Sequence, residues 1–454
     1  MSDRLDELAH RPVGRLLWQY SLPAVVGMLV MALYNVVDRV FIGQWVGPDA
    51  IAGLAVTFPI MNLATAIGVL IGVGSSSRVS IELGAGRLER ARQILGNAFT
   101  LTFINAAIYI ALFAVFIDPL LRLFGASDAT APFAREYMLV LLPGCLLTNI
   151  AYGFNNIMRA SGYPRKAMAT MLIGAVVNVV LDPIFIYVLD MGIGGAALAT
   201  DIAMAVSALF VIAHFIRRDV TLHFTRGIFG LKWDIIAGIV SIGAAPALVN
   251  AASCAVNALA NNALGGFGTD RDIAAVGIMA TYTSLLVTVV LGICQGMQPI
   301  TGYNYGARQL HRLRRTYLLA VAAATVITGI GGVFGLLCPS EIGRVFSSDP
   351  DLIAATDKAL SLCLLAFPVV GFQIISTGFF QSIGNAAESI AVGMLRQIIF
   401  IIPLLIVLPR TMGIDGVWLA FPISDTAATV VTAALIIWQM RRLRTSGSRS
   451  ATCP

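Results

Sequence analysis

Asn178-Val-Val-Leu-Asp182-Pro183 lies inside an apolar run from about Ala167 to Leu189. That run is long enough to cross a bilayer, which takes ~20 residues. A charged carboxylate at the centre of such a helix costs roughly 2.5 kcal/mol or more. On a helix, Asn178 and Asp182 are four apart and share one face. Pro183 has no N–H and frees a carbonyl one turn back. A buried Asp bonded to Asn can serve helix packing alone. An ionisable group inside a membrane is by default an ion or proton site, and that reading organises the rest of the chain.

The chain has 454 residues, 58% of them hydrophobic and only 12% charged. Soluble domains carry about a quarter charged residues. The apolar runs are continuous rather than alternating, so the spans are helices and not barrel strands. A net charge of +6 could suit nucleic acid, but the arginines sit in short loops between apolar runs, where they set topology. Cys145, Cys254, Cys294 and Cys363 fall in apolar runs and Cys453 in the tail, without paired spacing. They read as small hydrophobes, not disulfides or metal ligands. His10, His214, His223 and His311 form no ligand cluster. The first apolar run starts near Leu16 and reads as a full span, not a cleavable signal peptide.

Windows of ~20 apolar residues give twelve spans. They fall near 16–41, 52–76, 94–117, 134–157, 167–189 and 194–216, then 236–262, 274–301, 317–338, 359–382, 389–409 and 416–439. The expected organisation is a first lobe over 1–216, a cytoplasmic linker over 217–233, a second lobe over 234–440 and a cytoplasmic tail over 441–454. The linker, with Arg217, Arg218, Asp219, Arg226 and Lys232, reads as a loose polar tether. With both termini inside, the inner segments hold 22 basic residues and the outer ones seven. That asymmetry is a strong positive-inside signal.

The halves repeat. Met191-Gly-Ile-Gly-Gly-Ala-Ala-Leu-Ala199 parallels Met412-Gly-Ile-Asp-Gly-Val-Trp-Leu-Ala420, and Leu22-Pro23-Ala-Val-Val26 parallels Ala245-Pro246-Ala-Leu-Val249. Glu82-Leu-Gly84-Ala-Gly86 parallels Asn304-Tyr-Gly306-Ala-Arg308. A repeat of six spans gives two halves of equal orientation, related by an axis along the membrane normal. This is transporter architecture, with a cleft expected between the halves.

The acids are not duplicated. Asp38, Asp182 and Asp201 lie in first-half spans, whereas the second half has only Asp425 within a span. At ~1.5 Å per residue Asp182 lies roughly 23 Å along its helix from the inner end. Asp38 is near the outer end of a helix that also starts inside, and Thr200 is about two turns into one that starts outside. Asp38, Asn178, Asp182 and Thr200 can therefore meet in the outer half of one bundle. Their oxygens suit a hard cation. Two close carboxylates can equally share a proton. Both readings stay open at this point.

These residues resemble the multidrug and toxic compound extrusion transporters over nearly the whole chain. The resemblance rests on Val37-Asp38-Arg-Val-Phe-Ile-Gly43, Arg159-Ala-Ser-Gly162, Asn178-x-x-x-Asp182-Pro183 and Gln295-Gly-Met-Gln-Pro-Ile-Thr-Gly-Tyr-Asn-Tyr-Gly306. It implies twelve helices in two pseudo-symmetric six-helix bundles around a central cleft, and efflux coupled to Na⁺ or H⁺. The acids look like those of the branch named for a DNA-damage-inducible member. There the resemblance implies a cation site at Asp38, Asn178, Asp182 and Thr200, with Ala196 as a backbone ligand. It further implies substrate contacts at Tyr34, Met61, Asn155, Met171 and Met204. Flexible thioethers with an aromatic and an amide suit varied apolar cations, although each methionine alone also suits packing. The other bacterial branch has acids in its seventh and tenth helices, where this chain has Asn257, Asn261, Gln373 and Gln381. Gln295 and Gln298 can line the cleft or bond helix to helix.

The expectation is an all-α polytopic transporter, not an enzyme, that exports cationic or amphipathic organic molecules against inward H⁺ or Na⁺. Its partners are the small-molecule substrate and membrane lipid, without nucleic acid and without a cofactor beyond the coupling ion. It is expected as a monomer in the bacterial inner membrane. Pro23, well below Asp38 in the first span, is expected to let that helix bend. The alternative is a lipid-linked oligosaccharide flippase of the same superfamily. Flippases tend to carry several basic residues in the cleft, and here Arg396 alone is deep in a span. An enzyme would need a nucleophile or metal motif, and a channel a filter-like loop. Neither is found.

Overall fold

The computed structural model describes residues 3–450 apart from 129 and 268. Cys453 lies outside the described residues. Every regular element among them is helical, and twelve helices are long and apolar enough to cross a membrane. A short α1 (Asp3–His10) precedes them. In the first half follow α2 (Val13–Trp45), α3 (Pro48–Gly84), α4 (Leu88–Leu123), α5 (Ala131–Ala160), α6 (Pro164–Pro183) and α7 (Gly192–Ile216). The second half has α8 (Trp233–Phe267), α9 (Asp270–Gly306) and α10 (Leu310–Leu337). It continues with α11 (Pro339–Phe346), α12 (Pro350–Cys363), α13 (Phe367–Ser382), α14 (Ala386–Met394), α15 (Ile402–Met412) and α16 (Ile414–Ser450). Helices α12 and α13 make one span and α14 and α15 another. Most of the helices run past the apolar windows at both ends, because a window measures only the hydrocarbon thickness.

Turn chemistry fixes the helix ends, and the repeat extends to it. After α5, Gly162 takes φ 100°, and after α13 Gly384 takes φ 79°. Each closes the helix with paired bonds back to its last turn, such as Tyr163 N–H to Met158 O (3.1 Å) and Asn385 N–H to Phe380 O (3.0 Å). Only glycine enters this left-handed region without a Cβ penalty. The α3–α4 turn uses Gly86 at φ 75°, but its counterpart after α9 is Arg308, held at φ 57°.

The compact units do not break at 217–233. The first comprises residues 1–11 and 26–247, the second residues 12–25 and 248–454. The N-terminal part of α2 thus belongs with the second unit and the N-terminal part of α8 with the first. Glycines of α3 and α9, 222 positions apart, permit this. A Cβ on Gly74 would lie 2.0 Å from the Ile239 carbonyl, and one on Gly296 would lie 2.5 Å from Ser21 Cα. Small residues let backbones approach where no apolar solvent gradient drives helices together.

The polar segment 217–232 is not a loose tether but a strap docked on the first unit. Asn97 on α4 donates to Gly230 O at 3.1 Å and accepts from Lys232 N–H at 2.8 Å. Thr100 donates to Phe229 O at 2.9 Å. Leu222 and Ile228 are buried, and Phe99, Phe224 and Phe229 form an aromatic cluster. The sequence shows the charges of this segment but not the apolar residues between them that anchor it.

Candidate functional site

Three helices of the first unit supply the expected cation residues. Helix α2 carries Tyr34 and Asp38, α6 carries Asn178 and Asp182, and α7 carries Ala196 and Thr200. Helix α6 does not stop at Pro183. It widens into a π turn over Ile184–Val188, in keeping with a proline that cannot donate to the preceding turn. Asp182 therefore sits immediately before the widened turn.

Asn178 and Asp182 are fully buried and Asp38 is 8% exposed. The Asn178 amide donates to Asp182 Oδ1 at 3.2 Å and to Thr200 Oγ1 at 3.3 Å. Ala196, one turn before Thr200, is fully buried. Asp182 lies within electrostatic range of Asp38. The expected residues thus come together, apart from any role of the Ala196 carbonyl, for which geometry offers only the shared helical turn. Among the described residues, Asp38 Oδ1, Asn178 Oδ1 and Asp182 Oδ2 are buried without a hydrogen-bond partner. A buried acceptor left unmet costs about 1–3 kcal/mol, and buried carboxylates cost more unless paired or neutralised. A bare cation with oxygen ligands, or a proton, meets these atoms. Among the described residues no group of three or more His, Cys, Asp or Glu side chains could hold a metal. A cation here would rest on amide and hydroxyl oxygens beside two carboxylates.

Two further groups complete the site. Tyr137 on α5 is 4% exposed and within electrostatic range of Asp38, Asp182, Asp201 and Tyr34. The sequence reading passed over it because one tyrosine in a span carries no pattern. Asp201 faces α5, where a Cβ on Gly144 would fall 1.6 Å from its Oδ1. Only glycine at 144 leaves it that place.

One turn before Asn178 on α6, at Gly174, lies a small cavity of about 10 Å³. Met171 and Met204 border it, together with Met31, Tyr152, Thr170 and Ser207. The Tyr152 hydroxyl points at Met31 Sδ, 3.5 Å away. Tyr34 neighbours Tyr152 and lies within range of both Asp38 and Asp182. Met31 was missed because a third methionine in an apolar span has no distinguishing neighbour in sequence. The other two expected substrate residues lie elsewhere. Asn155 is 2% exposed; it donates to Ala167 O at 2.6 Å and accepts from Arg159 at 2.7 Å, which clamps α5 to α6. Met61 packs against the clusters around Tyr109 and Tyr137. Pro23 lies in an unbroken α2, two residues before the point where the helix passes from one compact unit to the other.

The second unit answers burial of its acid differently. Asp425 is 4% exposed and paired with Arg396, Nε to Oδ1 at 2.5 Å. Gln298 bonds Gln381 at 3.0 Å, a helix-to-helix link.

The comparisons with known proteins agree with this architecture. The FAD transporter of Shewanella oneidensis is 27% identical over 437 residues, covering 94% of each chain. The multidrug export protein MepA of Staphylococcus haemolyticus is 25% identical over 429 residues, again covering 94% of each. A solved structure described as the outward-facing conformation of a multidrug resistance MATE family transporter of the MOP superfamily superposes with a TM-score of 0.91. It is 27% identical and covers 96% of this chain and 98% of its own. The MatE family model matches residues 23–184 and again residues 246–407, which makes the internal duplication explicit: this chain belongs to the MatE family of multi-pass membrane transporters.

Proposed function

We propose that the chain is a secondary antiporter that exports cationic or amphipathic organic molecules, driven by inward H⁺ or Na⁺ through the first-unit acids. The observation that carries this reading is the set of buried, unpartnered oxygens on Asp38, Asn178 and Asp182 beside a methionine-bordered cavity in the same unit. Multidrug export by the MepA relatives supports the cargo class. The acid pattern supports the DNA-damage-inducible branch. The protein acts as a monomer in the bacterial inner membrane, with both termini in the cytoplasm as the basic loops indicate.

The exchange follows from charge. With both carboxylates ionised, the unit attracts a cationic molecule, and Tyr34 and the thioethers adapt to its apolar body. Two unit charges about 5 Å apart at an effective dielectric near 20 repel by about 3 kcal/mol. A proton or Na⁺ that enters cancels this repulsion and shifts a two-state equilibrium by roughly a hundredfold. Cation and cargo then compete for one charge deficit, as antiport requires. The test is transport in proteoliposomes with Na⁺ and pH gradients imposed separately. Export of a monocationic dye driven by at least one gradient, and absent in Asp38→Asn, supports the reading. Dye export indifferent to both gradients overturns it.

A further inference from the structure

We propose that the Arg396–Asp425 pair of the second unit is a receptor for zwitterionic ligands. The guanidinium edge takes an anionic group and Asp425 takes a cationic one. As a statement about cargo this rests on the export reading above, but it concerns a different site.

Arg396 sits in a π-helical stretch, Leu395–Ile401, within the span that α14 and α15 build. Its neighbours Ile398 and Ile399 are exposed, whereas Arg396 turns to α16. Such widened turns are rare and frequent at functional sites. An arginine this deep in a span is expensive and marks a pathway or a site by default. Arginine and carboxylate frequently pair through a bidentate fork. This pair does not. A single bond, Nε to Oδ1, joins the two side chains. The arginine side chain stays 30% exposed. Among the described residues, neither its terminal nitrogens nor Asp425 Oδ2 has a hydrogen-bond partner. Ser424 donates to the Arg396 carbonyl at 3.0 Å and Thr429 to the Asp425 carbonyl at 2.6 Å, so both backbones are fixed. Gln373 donates to the Asp425 carbonyl at 3.1 Å, yet its own Oε1 is buried without a partner. The place therefore offers two N–H donors on one side and two acceptor oxygens on the other.

The repeat places the pair where the first unit has its cavity. The two matched windows are 223 residues apart, which carries Gly174 onto the position next to Arg396, and the parallel stretches that begin at Met191 and Met412 are 221 apart, which carries Met204 onto Asp425. Gly174 and Met204 border the first-unit cavity. Equal registers thus present a soft, apolar wall in one unit and a dipolar one in the other.

Electroneutrality selects the ligand. The ion pair is neutral. A lone anion on Arg396 would leave a net negative charge in a low-dielectric bundle, and a lone cation on Asp425 a net positive one. A zwitterion, with an ammonium or N–H cation and a carboxylate or other anion, meets all four atoms and leaves no net charge.

The test uses purified full-length protein and two dyes that share one ring system. Rhodamine B carries a free carboxylate and is a zwitterion; its ethyl ester is a monocation. Binding is read by fluorescence anisotropy for the wild type and for the double variant Arg396→Met/Asp425→Leu. That variant replaces the pair by apolar groups of similar size, a change that folded proteins tolerate better than loss of one partner. The expected result is a loss of about tenfold or more in affinity for rhodamine B, with affinity for the ester unchanged within about twofold. Retained ester binding also reports that the variant is folded. Equal loss of both dyes, or no loss of either, overturns the site. Wild-type protein that binds the ester and rejects rhodamine B overturns the site and leaves the export reading standing. Wild-type protein that binds neither dye overturns both.

Discussion

Asn178 holds Asp182 by one oxygen only. Its amide nitrogen lies 3.2 Å from Asp182 Oδ1, and Asp182 Oδ2 is buried with nothing to bond. The same nitrogen also reaches Thr200. One short side chain thus sets the distance between α6 and α7 and leaves half of the carboxylate unmet. A residue kept only for packing would be satisfied on both oxygens, since buried polar groups nearly always are.

Neutralising either acid removes the site's reason to accept that charge. Asp38→Asn and Asp182→Asn should each abolish gradient-driven accumulation in proteoliposomes while surface expression and thermal stability hold or rise. The double variant should be little worse than either single one, because groups that act on one ion are not additive. Two singles that retain part of the activity and multiply in the double would show that the carboxylates work separately.

The strap over residues 217–232 makes a stability prediction. Asn97→Ala removes two donated bonds and one accepted bond to it. Loss of a partner from buried backbone groups costs about 1–3 kcal/mol. The variant should show a lower thermal midpoint and faster proteolysis between Arg217 and Lys232. Unchanged cleavage at those sites would mean that the aromatic cluster of Phe99, Phe224 and Phe229 suffices to hold the strap.

The duplicated turn after α9 carries a correctable strain. Arg308 sits at φ 57° where the first half has Gly86 at 75°. A left-handed non-glycine residue costs about 1 kcal/mol. Arg308→Gly should therefore raise the thermal midpoint by about 1–2 °C, less the extra chain entropy that glycine brings to the unfolded state. A fall in midpoint would show that the arginine side chain contributes more than its backbone costs.

The spans and the acid site were legible in the sequence for one physical reason. A bilayer penalises polar groups so strongly that apolar length and the few exceptions to it stand out. Asp38, Asn178, Asp182 and Thr200 are such exceptions; Asn178 bonds Asp182 and Thr200, and Asp38 lies within electrostatic range of Asp182. Where the signal is packing, the sequence is silent. Nothing in it distinguishes Met31, which borders the cavity, from Met61, which lies in the core. Asn155 reads as a polar lining residue but is consumed by a helix clamp, because its partners are a backbone carbonyl and Arg159 one turn away. Tyr137 comes within electrostatic range of three acids only through the packing of α5 against α6 and α7. The crossing of the N-terminal parts of α2 and α8 between units depends on Gly74 and Gly296, and forty-three glycines in the chain hide those two.

Pro23 offers the sharpest separation of ion binding from movement. It cannot donate to the Gln19 carbonyl, so α2 lacks one rung of its ladder at that turn. Two residues later the helix leaves the second compact unit and joins the first, and Asp38 lies about four turns further on. A helix whose two ends belong to different units must bend wherever those units move apart, and a missing rung is where bending costs least. Pro23→Ala restores the rung and leaves every cation residue in place. If the bend is mechanical, the variant should bind the monocationic dye with wild-type affinity, and should bind Na⁺ or protons as before, yet turn over at least about tenfold more slowly. If Pro23 gives only a fixed kink for packing, turnover should stay near wild type and thermal stability should change instead. Wild-type turnover by Pro23→Ala beside a dead Asp38→Asn would remove the bending step and leave the ion site as the whole of the coupling.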